Sequence, residues 1–216
     1  MNQYHKIQTV WKRDPVNHYK TLIEYDYSMP EFKYLEKNKW IFTEKVDGTN
    51  IRIMWDGANL TFGGKTDNAQ IPVFLINKLN ESFNAEMFKE HFTDPMCLYC
   101  EGYGAKIQRG GGNYKSDGVD VVLFDIKIGD WWLKRDSILE IAGKLNVQII
   151  PIIGEGDLID MIGMVRDGFK STWGDFMAEG IVARPKVELK TRSGHRIITK
   201  IKHRDFIHAR KALEED

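Results

Sequence analysis

The first half of the chain contains short runs in which apolar and β-branched residues dominate, as in half-buried strands. Two such runs cover residues 40–45 and 49–55. The dipeptide Asp56-Gly57 is typical of a tight hairpin turn, and it leads into another strand-like run at residues 59–63. This part of the chain is therefore predicted to form antiparallel sheet.

A different spacing follows between Ile71 and Phe92. Residues four apart lie on the same face of an α-helix. Apolar residues recur with that spacing at Leu75, Leu79, Phe83 and Met87. The pattern predicts a helix that packs across the sheet.

The second half of the chain mixes strands with fewer helices. An apolar run at residues 119–128 predicts a buried strand, which turns at Gly129-Asp130 into the short run 131–133. Residues 136–145 have the spacing of an amphipathic helix. Further strands are predicted at residues 147–153, 180–183 and 197–201. Because strands and helices do not alternate strictly, we expect an α+β fold with mainly antiparallel sheets and packed helices.

Composition is that of a globular protein with a core of its own. Of the 216 residues, 42% are hydrophobic and 12% aromatic. No Pro-, Ser- or Gly-rich linker divides the sequence, so one compact domain over residues 1–216 is expected, although this length also permits two small lobes.

Charge and hydropathy narrow the possible partners. Lys plus Arg and Asp plus Glu number 31 each, so net charge gives no indication of nucleic-acid binding. Basic residues become denser after Arg184, where a local positive face is plausible. The N-terminus lacks an apolar run of signal-peptide length, and no later stretch approaches a membrane span. We therefore expect no membrane partner and a cytoplasmic location.

The two cysteines, Cys97 and Cys100, have a spacing that could indicate redox chemistry or half of a zinc site. They lie in a predicted strand, where positions three apart face opposite sides. No second Cys or His pair with zinc-site spacing completes the set. Both interpretations are disfavoured.

Five short strings carry the candidate chemistry. The first is EKVDGTN, which places Lys45 between two strand-like runs and a glycine where the chain must turn. This string alone would indicate a surface turn. Its specificity comes from four strings that follow in order, namely EG at 101–102, FDI at 124–126, EGIV at 179–182 and KIK at 200–202.

In this order the strings resemble the motifs of the covalent nucleotidyltransferase superfamily, which comprises DNA ligases, RNA ligases and capping enzymes. The resemblance covers roughly residues 40–206. The extension through Thr49-Asn50 is typical of the phage-type RNA ligases that seal nicks in duplex RNA, and residues 64–72 and 101–104 are also similar to that branch. The resemblance implies an ATP-grasp-like nucleotidyltransferase (adenylation) domain, here without an OB-fold or a C-terminal helical domain.

A lysine nucleophile requires particular surroundings. A free lysine has a pKa of about 10.4 and is almost fully protonated at neutral pH. Cationic neighbours favour the neutral amine. Lys200 and Lys202 alternate on a predicted strand, so both face the same side and could assist Lys45 while clamping a nucleotide phosphate.

The resemblance assigns roles to the remaining positions. Lys45 would carry AMP, Glu101 would hold the ribose hydroxyls, Phe124 would stack on adenine, and Glu179 would bind Mg²⁺ or Mn²⁺. Without the motif order, Phe124 would be interpreted as a core aromatic, and the two glutamates as charges at strand ends.

Three further positions have weaker assignments from the same resemblance. Glu44 would contact the adenine edge. Lys65 would be a basic contact, in a position where relatives commonly have arginine. Asn50 would act on the RNA during joining.

The function implied is that of an ATP-dependent RNA ligase in a bacterial or phage-infected cell. It would join 3′-hydroxyl and 5′-phosphate ends, with nicked duplex RNA as the expected substrate, through a lysyl-AMP and an AMP-capped 5′ end. The alternatives are a minimal DNA ligase and a noncatalytic nucleic-acid-binding protein of the same fold.

Overall fold

A computed structural model describes residues 3–207 of the chain. The strands are β1 (Gln8–Thr9), β2 (Trp11–Arg13), β3 (Leu22–Tyr27), β4 (Trp40–Glu44), β5 (Thr49–Trp55), β6 (Leu60–Gly63), β7 (Met96–Gly104), β8 (Val119–Ile128), β9 (Trp131–Trp132), β10 (Gln148–Ile149), β11 (Ile152–Gly156), β12 (Gly180–Pro185) and β13 (Thr199–Lys202). The helices include α1 (Pro30–Tyr34), α2 (Val73–Ser82), α3 (Ala85–His91), α4 (Gly111–Tyr114), α5 (Arg135–Lys144) and α6 (Leu158–Asp167).

The chain forms two compact units. Within the described residues, the first unit comprises residues 3–5 and 47–150, and the second comprises residues 6–46 and 151–207. Each unit has its own sheet and its own hydrophobic core. The interpretation of residues 1–216 as one adenylyltransferase domain stays a prediction.

The first unit is built on a sheet in the order β10-β8-β7-β5-β6, with β9 paired to β8. Alternate residues of β5, namely Ile51, Ile53 and Trp55, are fully buried in its core, as the period of two requires. Leu75 and Leu79 of α2 pack into the same core, so the prediction is confirmed for the first part of the helical face.

The second unit contains a sheet in the order β1-β13-β12-β4-β11 and the separate hairpin β2-β3. Its core includes Trp40 and Phe42 of β4 together with Ile181 and Ala183 of β12. Two strand pairs of the described chain are parallel, β1 with β13 and β10 with β8, and the other paired strands are antiparallel. The α+β fold with mainly antiparallel sheets is therefore confirmed.

The helix predicted between Ile71 and Phe92 is two helices, α2 and α3. Phe83 has an extended backbone, with φ −136° and ψ 132°. The side chain of Asn84 then accepts a hydrogen bond from Met87 N at 2.9 Å and caps α3. The apolar spacing continues across the break at Phe83 because both helices bury residues in one core.

The strand predicted at residues 147–153 is also divided. Gln148–Ile149 pairs with β8, whereas Ile152–Gly156 pairs with β4 in the other sheet. Pro151 lies between them and has no amide hydrogen for a strand ladder. The apolar run therefore changes sheet at the proline.

Cys97 and Cys100 are buried free thiols of β7. Burial raises the pKa of both. No group of three or more His, Cys, Asp or Glu side chains suited to a metal occurs within residues 3–207. The structure therefore supports a packing role for the two cysteines.

Within residues 3–207, no helix combines the length and the apolar character that crossing a membrane requires.

Candidate active site

A glutamate between two lysines forms the centre of the candidate site. Lys45 Nζ donates to Glu179 Oε2 at 2.5 Å, and Lys202 Nζ lies 2.5 Å from Glu179 Oε1. The second contact is an ion pair. The side chains of Lys45, Glu179 and Lys202 are 19%, 10% and 16% exposed. The cluster is therefore mostly buried but keeps some contact with solvent.

Three adjacent strands of the second unit position this cluster. Lys45 directly follows β4, and its backbone N donates to Gly180 O at 2.9 Å. Gly180 in turn pairs with Lys202 across β12 and β13. A Cβ on Gly180 would lie 2.1 Å from Ile201 O, so only glycine permits this approach.

Lys200 occupies the same strand two residues before Lys202, opposite Val182 of β12. The alternation of strand side chains therefore puts the two lysines on one face, as predicted. Both are partly exposed. Lys200 and Lys202 could therefore contact the same group. Their action on a nucleotide phosphate stays a prediction.

The donors at the centre fit a divalent cation only in part. Glu179 supplies one hard carboxylate, and no cluster of three metal-ligating side chains exists in the described part of the chain. Mg²⁺ commonly binds through one or two carboxylates, with water and substrate phosphates completing its shell. Glu179 would thus hold a metal together with a nucleotide.

Glu44 is fully buried at the end of β4. Its Oε1 accepts a hydrogen bond from Ser171 Oγ at 2.6 Å, and its Oε2 accepts from Thr172 N at 2.8 Å and Thr172 Oγ1 at 2.7 Å. The carboxylate is thus engaged by a loop of its own unit. Contact of Glu44 with an adenine edge stays a prediction.

The first unit brings Asn50 and Glu101 together, since they are direct partners across β5 and β7. Side chains of such partners lie on one face with Cβ atoms about 5 Å apart. Gly48, just before β5, lies so close to β7 that an added Cβ would be 2.2 Å from Gly102 O. Only glycine permits this close approach of the two chain segments.

Phe124 lies in β8 and belongs to an aromatic cluster of the first unit. Its ring meets that of Tyr4 edge to face at a centroid distance of 5.1 Å. Tyr4 also contacts Tyr99 and Trp132, and its hydroxyl donates to Asp125 Oδ2 at 2.8 Å. No pattern in the sequence marks Tyr4, which precedes every recognisable element.

Lys65 is exposed on the loop after β6. That loop is held by Arg52, whose side chain is 1% exposed and donates to Gly64 O at 2.8 Å and Asp67 Oδ1 at 2.7 Å. Arg52 keeps the pKa of the Asp67 carboxyl below its usual value. Sequence reasoning missed this anchor because Arg52 stands at a polar position of its strand.

The predicted site residues thus fall into two sets. The second unit holds Glu44, Lys45, Glu179, Lys200 and Lys202. The first unit holds Asn50, Lys65, Glu101 and Phe124.

Solved structures with the same architecture include those of an RNA ligase from Naegleria gruberi. Its complex with pyrophosphate matches with a TM-score of 0.65 at 17% identity, over 98% of this chain and 60% of that one. Variants of that ligase with ATP and manganese, and with AMP and manganese, each match with a TM-score of 0.67 at 16% identity over the same shares. At this identity the match shows a common fold. This chain spans about 60% of the length of those ligases.

A family model described as RNA ligase matches residues 38–202. No curated protein matches the sequence. The matched range contains all nine candidate residues and most of the chain, and the chain belongs to the RNA ligase family.

Proposed function

We propose that this chain is an ATP-dependent RNA ligase that uses Lys45 as its nucleophile. The observation that carries the proposal is the pairing of Lys45 and Lys202 with opposite oxygens of Glu179, in a chain of the RNA ligase family. The Naegleria gruberi ligase, which has the same fold, binds ATP, AMP and manganese in its solved structures. The substrates proposed here are ATP and RNA.

The first step forms a bond between Lys45 Nζ and the α-phosphorus of ATP. The bond from that phosphorus to pyrophosphate breaks, and Lys45 loses its proton. The resulting phosphoramidate keeps AMP activated, because its nitrogen becomes a good leaving group when it is protonated. AMP then passes to the RNA 5′-phosphate, and attack by a 3′-hydroxyl on that phosphate forms the phosphodiester and releases AMP.

Glu179 has a double role in this scheme. Pairing with Glu179 occupies the Lys45 amine, so the pair must open before attack. A divalent cation would neutralise charge on the phosphates when it is bound, and Glu179 is the carboxylate proposed to hold it. Lys202 then remains to contact the nucleotide phosphate. The motif resemblance separately assigns the ribose to Glu101 and the adenine to Phe124.

RNA with 3′-hydroxyl and 5′-phosphate ends, in a nicked duplex, is the proposed polynucleotide substrate. The supporting feature is the motif string through Thr49-Asn50, which is typical of duplex-sealing ligases. We place the activity in the cytoplasm of a bacterial or phage-infected cell.

A nick-sealing assay tests the proposal against its alternatives. The protein is incubated with labelled ATP and Mg²⁺, and then with nicked duplexes that carry RNA or DNA on the 3′-hydroxyl side. An RNA ligase forms the adduct and seals the RNA nick faster. Faster sealing of the DNA nick would indicate a minimal DNA ligase, and binding without an adduct would indicate a noncatalytic protein.

Asn50 is expected to matter for RNA joining rather than for self-adenylylation. Its Oδ1 is buried and has no hydrogen-bond partner within residues 3–207, so it can accept one from a substrate group. Asn50→Ala should form the lysyl adduct at nearly the wild-type rate but seal nicks about 100-fold more slowly, the order expected when a reacting group is misplaced. Single-turnover assays of each step measure this split.

An asparagine on the exposed surface of the same unit supplies the control. Asn80→Ala in α2 should leave both steps unchanged, since Asn80 is exposed. Equal loss of adenylylation and sealing in Asn50→Ala would contradict a role confined to joining.

A further inference from the structure

We propose that Glu44 is a positioning residue that fixes the loop of residues 169–178 and thereby the Lys45–Glu179 contact. It would not act as a reader of the adenine edge. The inference rests on the proposed function, because it concerns the geometry of the same nucleophile.

Geometry leaves little capacity on Glu44 for a nucleotide. A carboxylate offers about four acceptor positions on its two oxygens. Ser171 and Thr172 donate three hydrogen bonds to them, and the residue is 0% exposed. Binding of an adenine amino group would require these bonds to break inside the protein. A buried carboxylate that loses its hydrogen-bond partners costs free energy. The hydrogen bonds of Glu44 to the loop are therefore favoured over a contact with adenine.

The loop itself is a hairpin that leads directly to Glu179. Ala178 N donates to Phe169 O at 3.0 Å, and Ser171 N donates to Phe176 O at 2.8 Å. Its outgoing side carries the two donors to Glu44, and its returning side ends at Ala178, one residue before Glu179. A shift of this hairpin therefore moves the carboxylate that pairs with Lys45.

The backbone of Glu44 is also held in place, by strand pairing. It pairs with Ile181 across β4 and β12, and the following residue, Lys45, bonds to Gly180 O. Glu44 thus joins the strand that bears the nucleophile to the loop that bears its partner. This arrangement predicts that loss of Glu44 and loss of its loop donors have the same effect on adenylylation.

Adduct formation with ATP and with inosine triphosphate, which lacks the adenine amino group, separates the two roles. The variants are Glu44→Gln, the double variant Ser171→Ala with Thr172→Val, and their combination. We expect each to slow adduct formation about 10- to 100-fold with both nucleotides, since small misplacements at a reacting centre have effects of this order. The combination should be little slower than either, because the variants break one network.

Asp175→Asn is the matched control, because Asp175 lies in the same loop but is exposed and pairs with Lys170. It should leave the rate unchanged. Hydrogen exchange of the peptide spanning residues 169–178 gives an independent measure, and it should rise in Glu44→Gln.

If Glu44 instead contacts the adenine edge, the expected results differ. The loop variants would then adenylylate normally, and Glu44→Gln would slow the reaction with ATP selectively and narrow its preference over inosine triphosphate. Either result, or unchanged exchange of the loop in Glu44→Gln, overturns the inference. Absence of any adduct in the wild type would instead overturn the proposed function, while hydrogen exchange would still decide the role of Glu44.

Discussion

Lys45→Arg is expected to abolish formation of the AMP adduct while it preserves the fold. Arginine keeps a positive charge beside Glu179, but its guanidinium does not deprotonate near neutral pH and cannot attack phosphorus. Loss of a covalent nucleophile reduces rates by about 10⁴-fold or more, so no adduct should be detected. Intact-mass measurement after incubation with ATP and Mg²⁺ tests this, with the tryptic peptide of Lys45 as the expected site in the wild type.

A substrate that already carries AMP on its 5′ end is the positive control. If Lys45 serves to carry AMP, then Lys45→Arg should still seal this substrate in the absence of ATP. Lys170→Arg, at an exposed lysine of the same unit, should behave as the wild type. An adduct that persists in Lys45→Arg would show that another residue is the nucleophile.

The order of the motifs was sufficient to select the central residues from the sequence. Lys45, Glu179 and Lys202 are far apart in the chain, but each belongs to a short string beside a predicted strand. Strand pairing then brings them together, because β4, β12 and β13 are neighbours in one sheet. Alternation along β13 also put Lys200 and Lys202 on one face. Their catalytic roles stay predictions.

Other partners in the site could not be predicted because nothing local marks them. Ser171 and Thr172 lie in a loop without periodicity, and their hydrogen bonds to Glu44 join residues more than 120 positions apart. Arg52 alternates with apolar residues, which correctly assigns it to the opposite face of β5. Periodicity does not show that this face is also covered, and the arginine is buried at 1% exposure.

One missed helix did have a sequence signal. Leu158, Met161, Ile162 and Val165 are buried with the spacing of an amphipathic helix. Asp157 begins the helix, because its side chain accepts hydrogen bonds from Ile159 N and Asp160 N. The capping pattern and the apolar spacing together predict α6. By contrast, the break at Asn84 interrupts a pattern that remains periodic on both sides.

Lys202→Ala is expected to slow adenylylation about 100- to 1000-fold with no RNA present, the order measured when one charged or hydrogen-bonding group is removed from a developing negative charge. In the structure Lys202 and Lys45 share Glu179. Without Lys202, the carboxylate has Lys45 as its remaining partner in this cluster, and the nucleotide phosphate loses a cation. Both effects act on the first chemical step, so adduct formation from ATP alone measures them.

Variants that keep or remove the charge at position 202, assayed without RNA, separate this role of Lys202 from general attraction of RNA. Lys202→Gln should restore little because it returns length without charge, whereas Lys202→Arg should restore part of the rate. Lys190→Ala, at an exposed lysine between β12 and β13, is the control for loss of surface charge and should adenylylate normally. If Lys202 served only to contact the RNA backbone, Lys202→Ala would keep the wild-type adenylylation rate and would show a smaller salt dependence of RNA binding.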